Sequence, residues 1–411
     1  METCNQPYTR YEGAPRILKP EEVSGTDYSR GKLFIHLEET MEISSSHYFD
    51  LVPVTMQGLF EDLIPGSSLK EELLKEWELF QLYKNEPNRY GTMVWYPRTK
   101  ELVRFAPQFW HRLSLLVRNK TLYQNPDMTL SWKEVRKLFE EAVIAVAGCS
   151  LGNNVAHTIA WDLRPLYMKI GDCKEFHMAN GNRVRLTYRD FGRNKAEVTA
   201  EQLHAIDPFL TISVFPEGIH EENVEDFIAG NPELQEPRAT VIIEEIDDLE
   251  TKILIRKIAR KYRIPVVMAS DIGSAVQLDI RRFDKDFSLP LMGCGVSDNE
   301  LFSTLKQWHR TNKEEDFMNI FFAIVGTHCL RIPEFKQLMI RGLSERRKNE
   351  IPAVKEIPPL FKGLPQLGST ATMSGALATD ATARILLDYP VYERMLIDKR
   401  DGFSVTEGVC L

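Results

Sequence analysis

The chain has no run of about 18 apolar residues, the length a helix needs to cross a bilayer. It also lacks a basic, then apolar leader, since Glu2 follows Met1 with no apolar core behind it. Its six cysteines, Cys4, Cys149, Cys173, Cys294, Cys329 and Cys410, form no C-x-x-C pair. That spacing argues against a structural zinc module and fits a reducing compartment. Positive charge is short too: 51 Lys and Arg against 59 Asp and Glu leave a formal charge of −8, with no electrostatic pull on a nucleic-acid backbone. Internal repeats and low-complexity tracts are missing as well. What remains is a soluble, cytoplasmic chain with no membrane or nucleic-acid partner, long enough at 411 residues for two or more domains.

What the chain does have is alternation. From Ala142 onward, short apolar runs alternate with stretches of helical spacing. The pattern predicts strands at 142–147, 166–171, 210–216, 240–244 and 265–269, and helices at 151–162, 195–206, 221–228 and 249–262. Runs this apolar suit strands covered on both faces, so the expected fold is α/β, a Rossmann-like, mostly parallel sheet with helices on both faces. Residues 1–130 read as an N-terminal α+β region and a candidate substrate clamp, with a helix over 68–83 and a hairpin pairing 93–96 with 102–105. Ser131-Trp132-Lys133-Glu134 has capping-box spacing and opens a helix into the first core strand. Residues 295–351 read as a helical insertion with Phe317, Ile320, Phe321, Ile324 and Val325 as its apolar stripe. The central domain is then 131–294 with 352–395, including a Pro-rich linker at 351–365 and an Ala-rich helix at 369–387; residues 396–411 are set apart as a C-terminal tail.

Polar residues gather at the ends of the expected strands. Ala147-Gly148-Cys149-Ser150-Leu151-Gly152 makes a strand–turn–helix opening, where free N–H groups and the helix dipole face a bound phosphate. Gly148 suits the turn and Gly152 suits close helix–strand packing, but Cys149 and Ser150 stand where a glycine-rich loop has glycine. Alone, the loop is as readily an ordinary βα turn. Asp172 ends the second strand, where a carboxylate can bind a ribose hydroxyl or simply be solvated. Asn180 and Arg183 follow, three residues apart. Arg183 can present a planar fork to phosphate, and Asn180 can orient the nucleotide or a substrate carboxylate. Lys195, twelve residues further on, offers a point charge to a polyphosphate. Any one of these is more simply a solvated basic residue; the ordered set is not. Asp247 follows the fourth strand, at the strand ends where such sheets bind ligands, and is the candidate for holding Mg2+. Asp248 beside it suits the nucleotide site and also the N-cap of the next helix. Cys149 and Cys173 read as small packing residues, Cys294 as an incidental thiol, and His157 and His204 as helix residues.

In this order, with Gly192-Arg193-Asn194 before Lys195, Asp207-Pro208, and Gly375-Ala376 in the late helix, the residues resemble the ThiF/MoeB superfamily, the adenylate-forming core of ubiquitin-activating enzymes. The likeness is to a bacterial branch with its own N-terminal region, and it covers 136–269 and 364–389. It implies ATP and Mg2+ as cofactors, and a peptide, protein or small-molecule carboxylate that attacks the α-phosphate to give an acyl-adenylate and pyrophosphate. On this likeness Gly148, Ser150, Gly152 and Asp248 line the nucleotide, Asp172 binds its ribose, and Asn180, Arg183 and Lys195 contact phosphates. Arg183, Lys195 and Asp247 form the catalytic set, with Asp247 on the metal. It further implies a homodimer, with Arg118 the candidate for an arginine that reaches the partner's nucleotide. The departures are the degenerate glycine loop, the missing paired C-x-x-C motifs and the lack of a cysteine at a thioester- or persulfide-forming position. They point away from sulfur transfer and toward adenylation alone, as in peptide-modifying relatives. Two other classes stay open. An NAD- or FAD-binding oxidoreductase on the same fold leaves Arg183, Lys195 and Asp247 without work; a catalytically inactive scaffold partner would suit the degenerate loop.

Overall fold

The computed structural model describes residues 11, 13–27, 32–117, 129–293, 295–311, 316, 319–320, 324, 366–400 and 402–410. They fall into two compact units, one of Met1–Glu140 with Ala160–Leu166 and Ala200–Ile212, the other of Glu141–Ile159, Tyr167–Thr199 and Ser213–Leu411. Arg118, Cys294, Phe317, Phe321, Val325 and the linker 351–365 lie outside the described residues.

The first unit is α+β. Its strands are β1 (Arg16–Ile17), β2 (Val23–Asp27), β3 (Lys32–His36), β4 (Thr40–Ile43), β5 (Tyr48–Asp50), β6 (Thr92–Tyr96) and β7 (Glu101–Phe105). They make one sheet in the order β1-β6-β7-β5 and a second in the order β2-β3-β4. The expected hairpin is β6–β7, and the expected helix is α2 (Ser68–Tyr83), between α1 (Val52–Asp62) and α3 (Gln108–Leu116). Met56, Leu59, Leu73, Phe80 and Trp110 form the helical core. The capping box holds: Ser131 N–H donates to Glu134 Oε2 at 2.7 Å at the start of α4 (Trp132–Glu141). Buried guanidiniums are spent on structure, Arg104 on the carbonyls of Tyr83, Lys84 and Tyr90, and Arg112 on Asp207 at 2.7 Å. His204 is a satisfied core histidine that bonds Tyr11 Oη at 2.8 Å and Leu210 O at 2.9 Å, with burial pushing its pKa down to about 4.

The second unit is built on an eight-stranded sheet. Its elements are β8 (Val143–Ala147), α5 (Leu151–Asp162), β9 (Tyr167–Gly171), α6 (Lys195–Ile206), β10 (Thr211–Phe215), α7 (Val224–Ile228), β11 (Val241–Glu244), α8 (Leu249–Lys261) and β12 (Val266–Ile272). Then follow β13 (Ala275–Arg281), α9 (Asp298–Thr311), α10 (Gly368–Leu386), β14 (Val391–Asp398) and β15 (Phe403–Cys410). The spatial order is β10-β9-β8-β11-β12-β13-β14-β15. Pairing is parallel from β9 through β8 and β11 to β12, then antiparallel to β15. All residues of β8 and β11 are buried, which is why the apolar runs were readable. Among the described residues no helix is long and apolar enough to cross a membrane.

The structure departs from the sequence expectations in two places. β13 was not expected, because Gln277, Asp279 and Arg281 interrupt its apolar pattern, yet every residue in it is buried. Each of those polar residues has a partner: Gln277 Nε2 donates to Asp279 Oδ2 at 2.9 Å, Arg394 Nε of β14 donates to Asp279 Oδ1 at 2.6 Å, and Arg281 Nη1 donates to Glu393 Oε2 at 2.9 Å. The residues set apart as a tail, 396–411, instead supply the end of β14 and all of β15. The small-residue helix α10 lies against β12 and β13. A side chain at Gly375 would come within 2.9 Å of Asn154 O, and the buried hydroxyls of Ser374, Thr379 and Thr382 bond carbonyls one turn back.

Candidate active site

With β9 and β10 on one side of β8 and β12 beyond β11, the strand order turns outward in both directions between β8 and β11. In open α/β sheets that is where a crevice forms at the carboxyl ends of the strands. The loops after these two strands meet there. Gly148 has φ +91°, its N–H donates to Gly171 O at 2.7 Å, and an added Cβ would stand 2.5 Å from Glu245 O. Only glycine permits that approach. At Gly152 an added Cβ would lie 3.0 Å from Val146 Cγ1, so the helix sits tight on its strand. The loop therefore keeps glycine where geometry demands it. Cys149 is fully buried, and burial, with Asp172 adding to it, pushes its thiol well up. That makes it an inert packing group. Cys173, expected as a packing residue, is instead exposed.

Asp172 braces this loop. Its Oδ2 accepts the Cys149 N–H at 2.7 Å and its Oδ1 the Lys174 N–H at 2.8 Å, and each oxygen keeps a lone pair for a further donor. Asn180 is buried and closes the short turn Met178–Asn180, its Oδ1 accepting the His177 N–H at 2.9 Å. Its amide nitrogen is what is left for a ligand. Arg183 is positioned from α5, where Asn154 Nδ2 donates to Arg183 O at 2.8 Å. Its Nη1 donates to Ala179 O and Asn182 Oδ1, its Nη2 reaches Ser150 Oγ at 3.4 Å, and among the described residues its buried Nε has no hydrogen-bond partner.

Lys195 is the first residue of α6, whose N-terminus is capped by Asn194 Oδ1 accepting the Ala196 and Glu197 N–H groups. The lysine is 7% exposed, with Nζ 5.7 Å from the centre of the Phe176 ring. Among the described residues its ammonium has no carboxylate or carbonyl partner. Its charge is felt by the Cys149 thiol, as is that of Asp172, which ties these three together.

Asp247 is exposed on the loop after β11. Asp248 is the N-cap of α8, its Oδ2 accepting the Thr251 N–H at 2.9 Å and the Thr251 hydroxyl at 2.8 Å; the cap is the task this geometry accounts for. Two acids here escaped the sequence reading. Glu245 Oε1 accepts the Ala269 N–H at 2.8 Å, tying the end of β11 to β12, and burial, with Glu244 and Asp271 adding to it, pushes its carboxyl well up. Asp271, on β12, is 5% exposed and receives Gln366 Nε2 at 3.0 Å. Burial pushes its carboxyl up to about 6, against the pull of the Gln366 bond and Arg183, and Asp247 pushes it further. Arg183 and Asp247 thus both act on one buried group, and Ser150 links this trio to the turn braced by Asp172. The signal for Asp271 was there, a lone acid ending the fifth apolar run.

Asp271 makes stability depend on pH. Its folded pKa is raised above the ordinary 3.8, so the stability it contributes is whole below about 3.8 and lost as pH rises through about 6. Asp271→Asn is expected to be more stable than wild type by roughly 2–3 kcal/mol above pH 7, with the gap closing toward pH 4. Denaturant unfolding across that range checks it, and a gap independent of pH would contradict it.

Comparison with known proteins bears on the whole second unit. The ThiF family model matches residues 132–400. The Mycobacterium tuberculosis (strain CDC 1551 / Oshkosh) protein MT1398 is 24% identical over 296 residues, 71% of this chain and 37% of that protein, so the chain spans little more than a third of that relative's length. Among solved structures, E. coli MccB with ATP is similar at a TM-score of 0.47 and 12% identity, over 95% of this chain and 96% of that one. The E. coli tRNA N6-threonylcarbamoyladenosine dehydratase TcdA with AMP is similar at 0.42 and 15% identity, over 66% of this chain and 93% of that one. The matched span of the family model takes in every residue of the site just described, and the chain belongs to the ThiF family.

Proposed function

We propose that this chain catalyses the ATP-dependent adenylation of a carboxylate on a peptide or protein, acting as a cytoplasmic homodimer. Membership of the ThiF family supports the reaction class. The observation that carries the reading onto this chain is Lys195, an ammonium largely withdrawn from water with no anionic partner among the described residues, set beside a phosphate-type loop at the sheet's switch point. Arg183, whose buried Nε has no hydrogen-bond partner among those residues, supports it from the other side of the turn. Both are groups in want of an anion, and a triphosphate supplies one.

In the proposed reaction a carboxylate oxygen bonds to the α-phosphorus, the bond from that phosphorus to the oxygen bridging to the β-phosphate breaks, and pyrophosphate leaves with the electron pair. Lys195 and Arg183 would stabilise charge on the phosphates, and preorganised charges of this kind act chiefly in the transition state. Asp172 would hold the ribose, and the N–H groups at the start of α5 would face a phosphate. Among the described residues no three His, Cys, Asp or Glu are grouped to hold a metal by themselves. The oxygen donors present fit Mg2+ shared with phosphates, with Asp247 as its holder; the ion would neutralise phosphate charge when bound.

Thermal unfolding with 1 mM ATP and Mg2+, beside the same titration with NAD or FAD, tests the reading. ATP at about a hundred times its Kd stabilises by about 2.7 kcal/mol, a shift of several degrees. A flat response to ATP with a rise on NAD or FAD would favour the oxidoreductase alternative.

A further inference from the structure

Asp271 is buried, and among the described residues its Oδ2 has no hydrogen-bond partner. Its other oxygen is taken by Gln366 Nε2. A carboxylate oxygen sealed from water needs a donor or a cation in contact, and among the described residues none bonds this atom. An N–H of the acyl substrate or a metal ion could meet the need, and the surroundings favour the metal. The register of β11 on β12 pairs Ile242 with Val266 and Ile243 with Val267. Asp247 lies in the loop just after β11, three residues past its end at Glu244, and Glu245 at the start of that loop is tied to Ala269 of β12, two residues before Asp271. Asp247 acts on Asp271 as a like charge, and Glu245 stands between their strands. Arg183 also acts on Asp271, but its hydrogen bonds go to Ala179, Asn182 and Ser150; a divalent ion can answer both acids at once, and a neutral N–H cannot. Among the described residues no third protein group completes a closed metal site, so the other positions fall to phosphate oxygens and water, the mixed shell that Mg2+ takes.

Resting on the adenylation reading above, we propose that Asp271 is a second carboxylate ligand, beside Asp247, for the Mg2+ that accompanies ATP. Gln366 then acts as the positioning residue that holds Oδ1 and leaves Oδ2 for the ion.

Mn2+ serves as the probe. Its binding to the full-length chain, saturated with the methylene analogue of ATP, is followed by electron paramagnetic resonance for wild type, Asp271→Asn, Asp271→Ala and Asp247→Asn. Binding of the analogue without metal is measured separately by calorimetry in chelator, and thermal melting confirms that each variant is folded. The expected result is a tight Mn2+ site in wild type, weakened about tenfold or more in every variant, with metal-free analogue affinity no lower than in wild type, since each variant removes a negative charge beside the phosphates. Mn2+ affinity equal to wild type in both Asp271 variants, with loss in Asp247→Asn, overturns the assignment, and a raised KM for the acyl substrate alone would give Asp271 to substrate recognition instead. If wild type binds no analogue with or without metal, the adenylation reading falls and takes this inference with it. If wild type binds both and is indifferent to Asp271, this inference alone falls.

Discussion

Lys195→Ala is expected to lower ATP–pyrophosphate exchange by on the order of a hundred- to a thousandfold, the usual loss when one preorganised charge is removed from a transition state. The protein should remain folded, for three reasons. Among the described residues the ammonium makes no hydrogen bond or ion pair that its loss would break. Alanine is a better helix former than lysine, and the cap of α6 is Asn194, which the substitution leaves in place. Burying an ammonium without a counter-charge also works against folding, so its removal is neutral or mildly stabilising. Melting within about 2 °C of wild type, beside lost exchange, separates a chemical role from a structural one. Lys195→Arg keeps the charge but moves it on a longer, forked group, and only partial recovery is expected. Exchange at wild-type rates in Lys195→Ala would leave the ammonium without a function and remove the main support for the adenylation reading.

Gly148→Ala is expected to destabilise the protein by roughly 3–5 kcal/mol, combining backbone strain with overpacking. The residue is held at φ +91°, and the new methyl would sit 2.5 Å from Glu245 O and 2.7 Å from its carbonyl carbon. Backbone must then give way in the loop after β8, in the loop after β11, or in both. The same shift would move the Cys149 N–H off Asp172 and disturb the lead-in to Asp247. Denaturant midpoints measure the stability part, and nucleotide affinity measured on the folded fraction gives the rest. A variant within about 1 kcal/mol of wild type would mean that the loops do not cross this closely. Gly152→Ala makes the informative companion. There the new contact is the far end of a valine side chain at 3.0 Å, which can yield, so a smaller loss is expected.

The parallel core was legible because burial on both faces writes itself as uninterrupted Val, Ile and Ala, and α2, α5 and α6 fall on their expected boundaries. The loop glycines were legible as well, since Gly148 and Gly152 face backbone or strand at distances a side chain forbids. β13 was not, because a buried strand whose polar side chains bond one another looks like a solvated one in sequence. Asn180 and Asp248 carry local hydrogen bonds beside any ligand role the sequence suggests: Asn180 closes a turn, and Asp248 caps a helix as its position also predicts. Short polar residues do both jobs with the same atoms, and sequence spacing cannot tell the jobs apart. Asp271 is visible in sequence as an acid after the fifth apolar run, but its burial and its neighbours Arg183 and Asp247 come from the packing of segments far apart along the chain.

The junction of α10 with the Asn180–Arg183 turn has an evolutionary side. Asn182 Nδ2 donates to Gln366 O at 2.8 Å, and Gly368 has room for no side chain against Asn182 O. The polypeptide is thus pinned at residue 366, directly behind the arginine. Descendants can lengthen, shorten or exchange what precedes that pin, and diversify in what they recognise, without dislodging the arginine on which turnover is proposed to depend.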